Sequence, residues 1–452
     1  MSANGFQVLD QASLKPFQRK VTRLSAAGMF LDGYDLTVIA VALPILIKQW
    51  HLSSGMAAIV AASAVLGMFI GALVLGRLTD KLGRKKMYLV DLICFVVFAI
   101  LTALSQDVWQ LIAFRFLLGL AIGADYSISP TLLAEYVSAK DRGKVMSLLG
   151  ATWFLGAAST YVFALILLPL GNNSWRYMLL LGAVFALIVI YMRRSIPESP
   201  RWLMDHGRHE EAAKVLRQIS GRDDVTLPPA VQSETREKPW SSLFAPRMIK
   251  ITVFVCGFWF MYTLAYYGIS LYTPTVLKQV TSSTAQSYVG SLIIGLVGLL
   301  GAGIGIYLSD RIGRRKLVII GFAGLVGSLL VLALAGKPSL GLLIGFLALG
   351  VLFANMGPGV VNLIYPSELY PTSIRATGAG LAASFSRIGG IIGTLAFPPL
   401  VASWGIGKAL WLFIGAGLIG LVISVLLAPE TRGRQLEELN ETLAGEPSAV
   451  KV

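Results

Sequence analysis

Twelve apolar runs recur along this chain, each long enough to cross a hydrocarbon core about 30 Å thick at about 20 residues per crossing. They fall near 23–48, 56–77, 87–106, 109–138, 146–170 and 175–193, then near 248–277, 286–308, 317–336, 338–366, 376–403 and 407–428. Backbone in lipid has no water to bond, so each run must satisfy its own N–H and C=O groups, and the helix is the form that does so within one segment. The predicted class is an all-α membrane protein with twelve transmembrane helices in two six-helix bundles. Composition agrees: 14% of residues are charged, against roughly 25% in soluble domains. The 47 glycines suit helices that approach closely in a bilayer.

The formal charge of +14 suggests nucleic acid only if the basic residues share one accessible face. Here they alternate with apolar runs. Lys81, Arg84, Lys85 and Lys86 follow the second run, Lys140, Arg142 and Lys144 the fourth, and Arg311, Arg314, Arg315 and Lys316 the eighth. Basic loops of this kind stay in the cytoplasm, so both termini are predicted there, with the lipid bilayer as partner and no nucleic acid. Cys94 and Cys256 lie inside apolar runs, and neither a disulfide framework nor a metal site is expected. Residues 1–21 carry no apolar leader core, so the first span is expected to direct insertion.

The halves repeat. Asp80-Lys81-Leu82-Gly83-Arg84-Lys85-Lys86 returns 230 residues later as Asp310-Arg311-Ile312-Gly313-Arg314-Arg315-Lys316. Glu135 to Arg142 is echoed by Glu368 to Arg375, and Pro197-Glu198-Ser199 by Pro429-Glu430-Thr431. The predicted organisation is a bundle over 1–193, a polar linker with short helices over 194–247, a second bundle over 248–428 and a tail over 429–452. Duplicated transporters of this kind hold their solute near the midplane between the repeats.

At these motifs the chain resembles the major facilitator superfamily, in its sugar-porter and metabolite:proton symporter branch. The resemblance rests on Gly76-Arg77-Leu78-Thr79-Asp80-Lys81-Leu82-Gly83-Arg84-Lys85, Pro197-Glu198-Ser199-Pro200-Arg201-Trp202-Leu203, Tyr365-Pro366-Ser367-Glu368-Leu369-Tyr370-Pro371, and Pro429-Glu430-Thr431-Arg432-Gly433. It implies alternating access with a cytoplasmic gate of charged loop residues: Asp80, Arg84, Glu135, Arg142, Glu198, Arg201, Asp310, Arg314, Glu368, Arg375, Glu430 and Arg432. The alternative is that these charges only anchor helix ends and set topology. The chain departs from sugar porters on its fifth and seventh spans, where Thr152-Trp153-Phe154 and Phe258-Trp259-Phe260-Met261-Tyr262 stand in place of the usual amides. Leu31-Asp32-Gly33-Tyr34-Asp35 and Gly123-Ala124-Asp125-Tyr126 look instead like proton-coupled phosphate and aromatic-acid symporters.

A charge deep in a span costs at least ~2.5–3.5 kcal/mol on insertion scales, which makes each one a functional candidate. Asp32, Asp35 and Asp125 are the proton-coupling candidates. At 1.5 Å per residue, Asp32 and Asp125 each lie about 15 Å from the cytoplasmic end of their helix. Asp32 and Asp35 share a helix face, and like charges this close resist double ionisation, a useful property in a proton carrier. Arg115 either binds an anion or neutralises Asp125; the structural alternative for these acids is an Asp125–Arg115 pair that only fixes packing. Arg387 is left outside the site set, because a place in the gate explains it equally well.

Tyr126, Trp153, Trp259, Tyr266, Asn355 and Asn362 join Arg115 as solute-binding candidates. Tyr and Trp offer a flat apolar face with a donor, and an intramembrane amide seeks a partner. Trp259 and Tyr266 share a face, as do Asn355 and Asn362. The expected function is a proton-coupled symporter, monomeric, in the inner membrane, importing a sugar- or polyol-like solute or a small organic anion, with the proton gradient as energy source and no cofactor. The rivals are a facilitative uniporter, a phosphate or aromatic-acid proton symporter and, more remotely, a solute sensor without transport. Three histidines and no clustered nucleophile and base argue against an enzyme.

Overall fold

The computed structural model describes residues 16–432 apart from 83, 137–138, 194–196, 199, 221–239, 247, 337 and 372–373. The N-terminal six spans are α1 (Pro16–Trp50), α2 (Ser54–Leu82), α3 (Arg84–Leu104), α4 (Val108–Tyr136), α5 (Ala139–Leu167) and α6 (Ser174–Arg193). Two short helices follow, α7 (Pro200–Asp205) and α8 (His209–Ser220). The remainder is α9 (Ile249–Ser270), α10 (Thr273–Val280), α11 (Thr284–Ile312), α12 (Arg314–Leu334), α13 (Leu340–Met356), α14 (Pro358–Leu369) and α15 (Arg375–Leu427). Among the described residues, nine helical stretches are long and apolar enough to cross a membrane. Two of these, 148–193 and 377–427, each hold two passes, and the shorter apolar Val108–Ala124 adds another, which brings the passes to the predicted twelve.

Three breaks differ from the runs expected of the sequence, and each has a local cause. The run at 338–366 is two helices, because Pro358 has no N–H to continue the ladder and Gly357 takes φ −92°, ψ −99°. The run at 248–277 breaks at Leu271 and Tyr272, ahead of Pro274 in the first turn of α10. The last two runs are one helical stretch, α15, interrupted at Gly405 with φ 78°, a backbone state that glycine adopts without steric cost. Leu300, Leu334, Ile166 and Val422 point outward and stay more than half exposed, as side chains that face lipid do.

The packing units cut across the helices. The first comprises Met1–Leu36, Leu66–Ala157 and Trp175–Glu234; the second comprises Thr37–Val65, Ala158–Ser174 and Thr235–Val452. Within the first, α1 and α5 touch backbone to backbone: a methyl on Gly33 would overlap the Trp153 carbonyl oxygen, and one on Gly156 that of Phe30. Gly67 and Gly71 meet α4 in the same way at Phe116 and Leu120. The second unit repeats the device, with Gly389 and Gly393 of α15 against Phe260 and Leu264 of α9, and Gly301 and Gly305 of α11 against Leu352 and Met356. Lipid supplies little hydrophobic drive between spans, so small residues that admit close approach stand in for it.

The linker helices are docked rather than free. Leu203 of α7 and Ala212, Val215 and Leu216 of α8 pack with Val21, Leu24 and Met29 of α1 and Val145 and Leu149 of α5. Arg193, at the end of α6, donates to the Leu24 carbonyl at 3.2 Å and lies 3.7 Å over the Tyr88 ring. In the second unit, the C-terminal part of α1 is tied to α11 by the Tyr288 hydroxyl, which donates to the Val41 carbonyl at 2.6 Å.

A methyl at Gly156 has no room against backbone, whereas one at Gly150 meets nothing within 4 Å. Gly156→Ala is expected to lower stability by about 1–3 kcal/mol through overpacking. Thermal unfolding in detergent, with Gly150→Ala unchanged as the control, measures it.

Candidate functional site

In the first unit the buried charges gather where α1, α4 and α6 meet. Asp32 and Asp35 are each 1% exposed and Arg115 is fully buried. Arg115 reaches α1: its Nη2 donates to the backbone carbonyl of Asp35 at 3.5 Å. Among the described residues, neither carboxylate oxygen of Asp35 has a hydrogen-bond partner, nor do Nε and Nη1 of Arg115. An acid and a cation, both dry and adjacent, are thus held short of a closed salt bridge. Tyr34, which the sequence reading passed over between its two aspartates, is fully buried and donates its hydroxyl to the Met178 carbonyl of α6 at 2.7 Å. Its ring meets Phe185 edge-on at 5.1 Å, which fixes the rotation of α1 and the direction of Asp35.

Trp153 takes a different place from the solute-facing one expected. It is partly buried against the apolar cluster that joins α1 and α5 to the linker helices. Asp125 and Tyr126, with Asp80, Arg84, Glu135, Arg142, Arg201 and Arg375 of the expected gate, lie outside the described side chains.

The second unit holds an aromatic and amide group along α9. The Tyr262 hydroxyl donates to Asn355 Oδ1 at 3.2 Å, and Asn355 Nδ2 donates to the Gly298 carbonyl at 3.2 Å, so one amide links α9, α11 and α13. The Tyr266 ring lies tilted 5.5 Å from that of Tyr262 and edge-on 5.6 Å from that of Tyr267, and stays partly exposed. Trp259, expected to share a solute-facing surface with Tyr266, is 4% exposed, and its carbonyl accepts the Thr263 hydroxyl. Asn362 is partly exposed, with no hydrogen bond among the described residues. Arg387, left out of the expected set, is 5% exposed and donates from Nη1 to the Tyr267 hydroxyl at 3.3 Å. A helical reading of α9 alone does not reveal that pair, since its members are 120 residues apart.

At the basic loop ends the acids do two jobs. Glu198 accepts the Lys85 backbone N–H on both oxygens at 3.1 Å, and Glu430 accepts those of Arg314 at 3.0 Å and Arg315 at 3.2 Å. The repeated motif acid therefore sits at the N-terminus of α3 and again at that of α12, where the helix dipole and unpaired N–H groups favour an anion. Arg314 pairs with Asp310 at 2.8 Å and Glu368 at 3.2 Å. Arg432 donates its backbone N–H to Glu430 at 3.0 Å.

Twelve helical passes, a duplicated loop motif with the same carboxylate caps, and dry charges within the spans define a secondary transporter of the major facilitator type. The chain belongs to the sugar (and other) transporter family, whose model matches residues 21–443. It is 32% identical over 431 residues to the inner membrane metabolite transport protein YgcS of Escherichia coli (strain K12), covering 95% of each chain. It is 31% identical to the arabinose-proton symporter of Bacillus subtilis (strain 168), over 92% of this chain and 93% of that one. The fold matches that of the xylose transporter XylE from E. coli in a partially occluded inward open conformation, with a TM-score of 0.78 at 22% identity over 93% of this chain and 100% of that one.

Replacing Glu430 by Gln keeps the shape of the α12 cap and removes its charge. The expected cost is about 1 kcal/mol, read as a lower unfolding temperature in detergent with the helix content unchanged.

Proposed function

We propose that this protein is a proton-coupled symporter that imports a small polar metabolite by alternating access. It works as a monomer in the bacterial inner membrane, with both termini cytoplasmic and the proton gradient as its energy source. The observation that carries the reading is the Asp35 and Arg115 arrangement, in which the buried Asp35 carboxylate has no hydrogen-bond partner among the described residues and the Arg115 guanidinium donates to the Asp35 backbone carbonyl instead. A salt bridge kept only for packing would be closed, because a buried ion pair repays its desolvation only through good geometry. An open one suits a group that exchanges its proton for the cation as the cycle turns. Asp35 is the carrier in this reading, Arg115 its electrostatic partner, and Asp32 a second acid on the same face.

Solute binding is assigned to the α9 group, with Tyr266, Asn362 and the Tyr262–Asn355 and Tyr267–Arg387 pairs as its polar contacts. Hydroxyls and amides beside flat rings fit a sugar- or polyol-like solute, and the family and the arabinose-proton relative support that class. Arg387 keeps a small organic anion as the second reading, since a buried guanidinium is the residue suited to a carboxylate. The Tyr288 to Val41 hydrogen bond ties the outer part of α1 to α11, and in an alternating cycle it opens when the outer side admits solute.

Proteoliposomes with a trapped pH dye test the proposal across sugars, polyols and small carboxylates. One of these is expected to acidify the lumen as it enters, and Asp35→Asn to abolish the acidification and uphill uptake while solute exchange continues. Label that moves with no proton signal in the wild type identifies a uniporter instead. Tyr288→Phe is expected to raise outer-side access, measured as faster labelling of a cysteine placed beside Val41.

A further inference from the structure

Most glycines in the described spans that approach another element meet its backbone or an apolar side chain. Gly182 of α6 is different. A methyl built there would stand 3.0 Å from Asp35 Oδ1, with Phe95 Cε1 of α3 next at 3.8 Å. The space that a side chain at position 182 would fill is where the Asp35 carboxylate lies.

We propose that Gly182 is the positioning residue of the proton carrier, its missing side chain giving the Asp35 carboxylate a seat on α6 that keeps it from closing onto the Arg115 guanidinium. This rests on the reading of Asp35 as the carrier. Three observations on separate elements meet here. Gly182 leaves the seat open on α6, and Phe95 walls it with an apolar ring. Arg115 bonds the Asp35 carbonyl and not its carboxylate. Tyr34 is anchored to the Met178 carbonyl, one turn of α6 before Gly182, which locks the register that brings the carboxylate to the glycine.

The charged and titratable groups around the seat are few. Arg115 faces it from α4. On α1 itself stand Asp32, one turn earlier, and Tyr34, whose hydroxyl is turned to α6. On α3, Asp91 lies a turn beyond Phe95 toward the basic loop end. On α6 the cationic side chains near the ends, Arg176 and Arg193, are bonded to the Ala103 and Leu24 carbonyls, and Tyr177 and Tyr191 are exposed on the surface. Nothing on α6 at the level of Gly182 supplies a charge, so the seat acts by shape.

A methyl at 3.0 Å forces the carboxylate to shift by a few tenths of an ångström, which changes its distance from the guanidinium. In Gly182→Ala proteoliposomes the midpoint of the pH dependence of proton-driven uptake is expected to move by about half a pH unit or more. Gly345→Ala, whose added methyl meets nothing within 4 Å, is expected to keep the wild-type midpoint. In an Asp35→Asn background, where solute exchange continues, Gly182→Ala is expected to leave the pH dependence of that exchange unchanged. A Gly182→Ala protein that changes only the rate, at an unchanged midpoint, would show a packing glycine and overturn the inference while Asp35 remains the carrier. If Asp35→Asn still drives uphill uptake, the carrier assignment falls and the inference with it. Should the alanine variant not reach the membrane, Gly182→Ser, whose hydroxyl can also donate to the carboxylate, carries the same test of the midpoint.

Discussion

The contact on which the arrangement of the buried charges depends is the backbone-to-backbone crossing of α1 and α5 at Gly33 and Gly156. Those two glycines stand one on each helix, and each is closed off by the carbonyl oxygen of the other helix. The crossing sets the rotation and depth of α1, and Tyr34 then pins the same helix to α6 through Met178. With α1 held on two sides, the Asp35 carboxylate lies against Gly182 of α6 while its backbone carbonyl accepts from Arg115 of α4. In lipid, where apolar surface alone does not hold helices together, such close approaches carry much of the specificity of packing.

Charge is the second constraint. Each ionised group within the spans needs a compensating interaction, and the structure answers in two ways. Near the basic loops the answer is static: Glu198 and Glu430 sit on helix N-termini, Arg314 bridges two carboxylates, and Arg193 is bonded to a carbonyl over a tyrosine ring. Between α1 and α4 the answer is incomplete, with a guanidinium on a carbonyl and the carboxylate beside it left without a hydrogen bond. The satisfied charges near the basic loops contrast with the interior pair, and an unpaired buried charge is costly.

Much of the architecture is legible in the sequence. Run length and the basic loops led to twelve passes, and the offset repeat led to the paired motif acids that the structure turns into matching helix caps. The local helix breaks at Gly357, Pro358 and Gly405 carry their own residue signals. The interior site is only half legible. Asp32, Asp35 and Arg115 are visible as charges in apolar runs; spacing along α4 offers Asp125, whose side chain lies outside the described ones, as one partner of Arg115, and does not reveal the contact with the Asp35 carbonyl of α1. Helix periodicity says which residues share a face of one helix; it does not say how neighbouring helices are rotated, and that depends on which glycines meet which carbonyls. The same gap explains Trp153, which looks suited to a cavity and packs with linker helices, and the Tyr267–Arg387 pair, whose members lie on α9 and α15. Gly182 carries no sequence signal, since its role is the absence of a side chain.

The most direct measurement is proton binding coupled to solute binding, made on the purified protein in lightly buffered detergent solution with no membrane gradient. If Asp35 must hold a proton for the solute to be carried, linkage requires that solute binding changes proton binding. The account predicts an uptake approaching about one proton per solute bound at alkaline pH, and none in Asp35→Asn that still binds solute. Solute binding without net proton exchange in the wild type across the pH range, or the same uptake in Asp35→Asn, would contradict it.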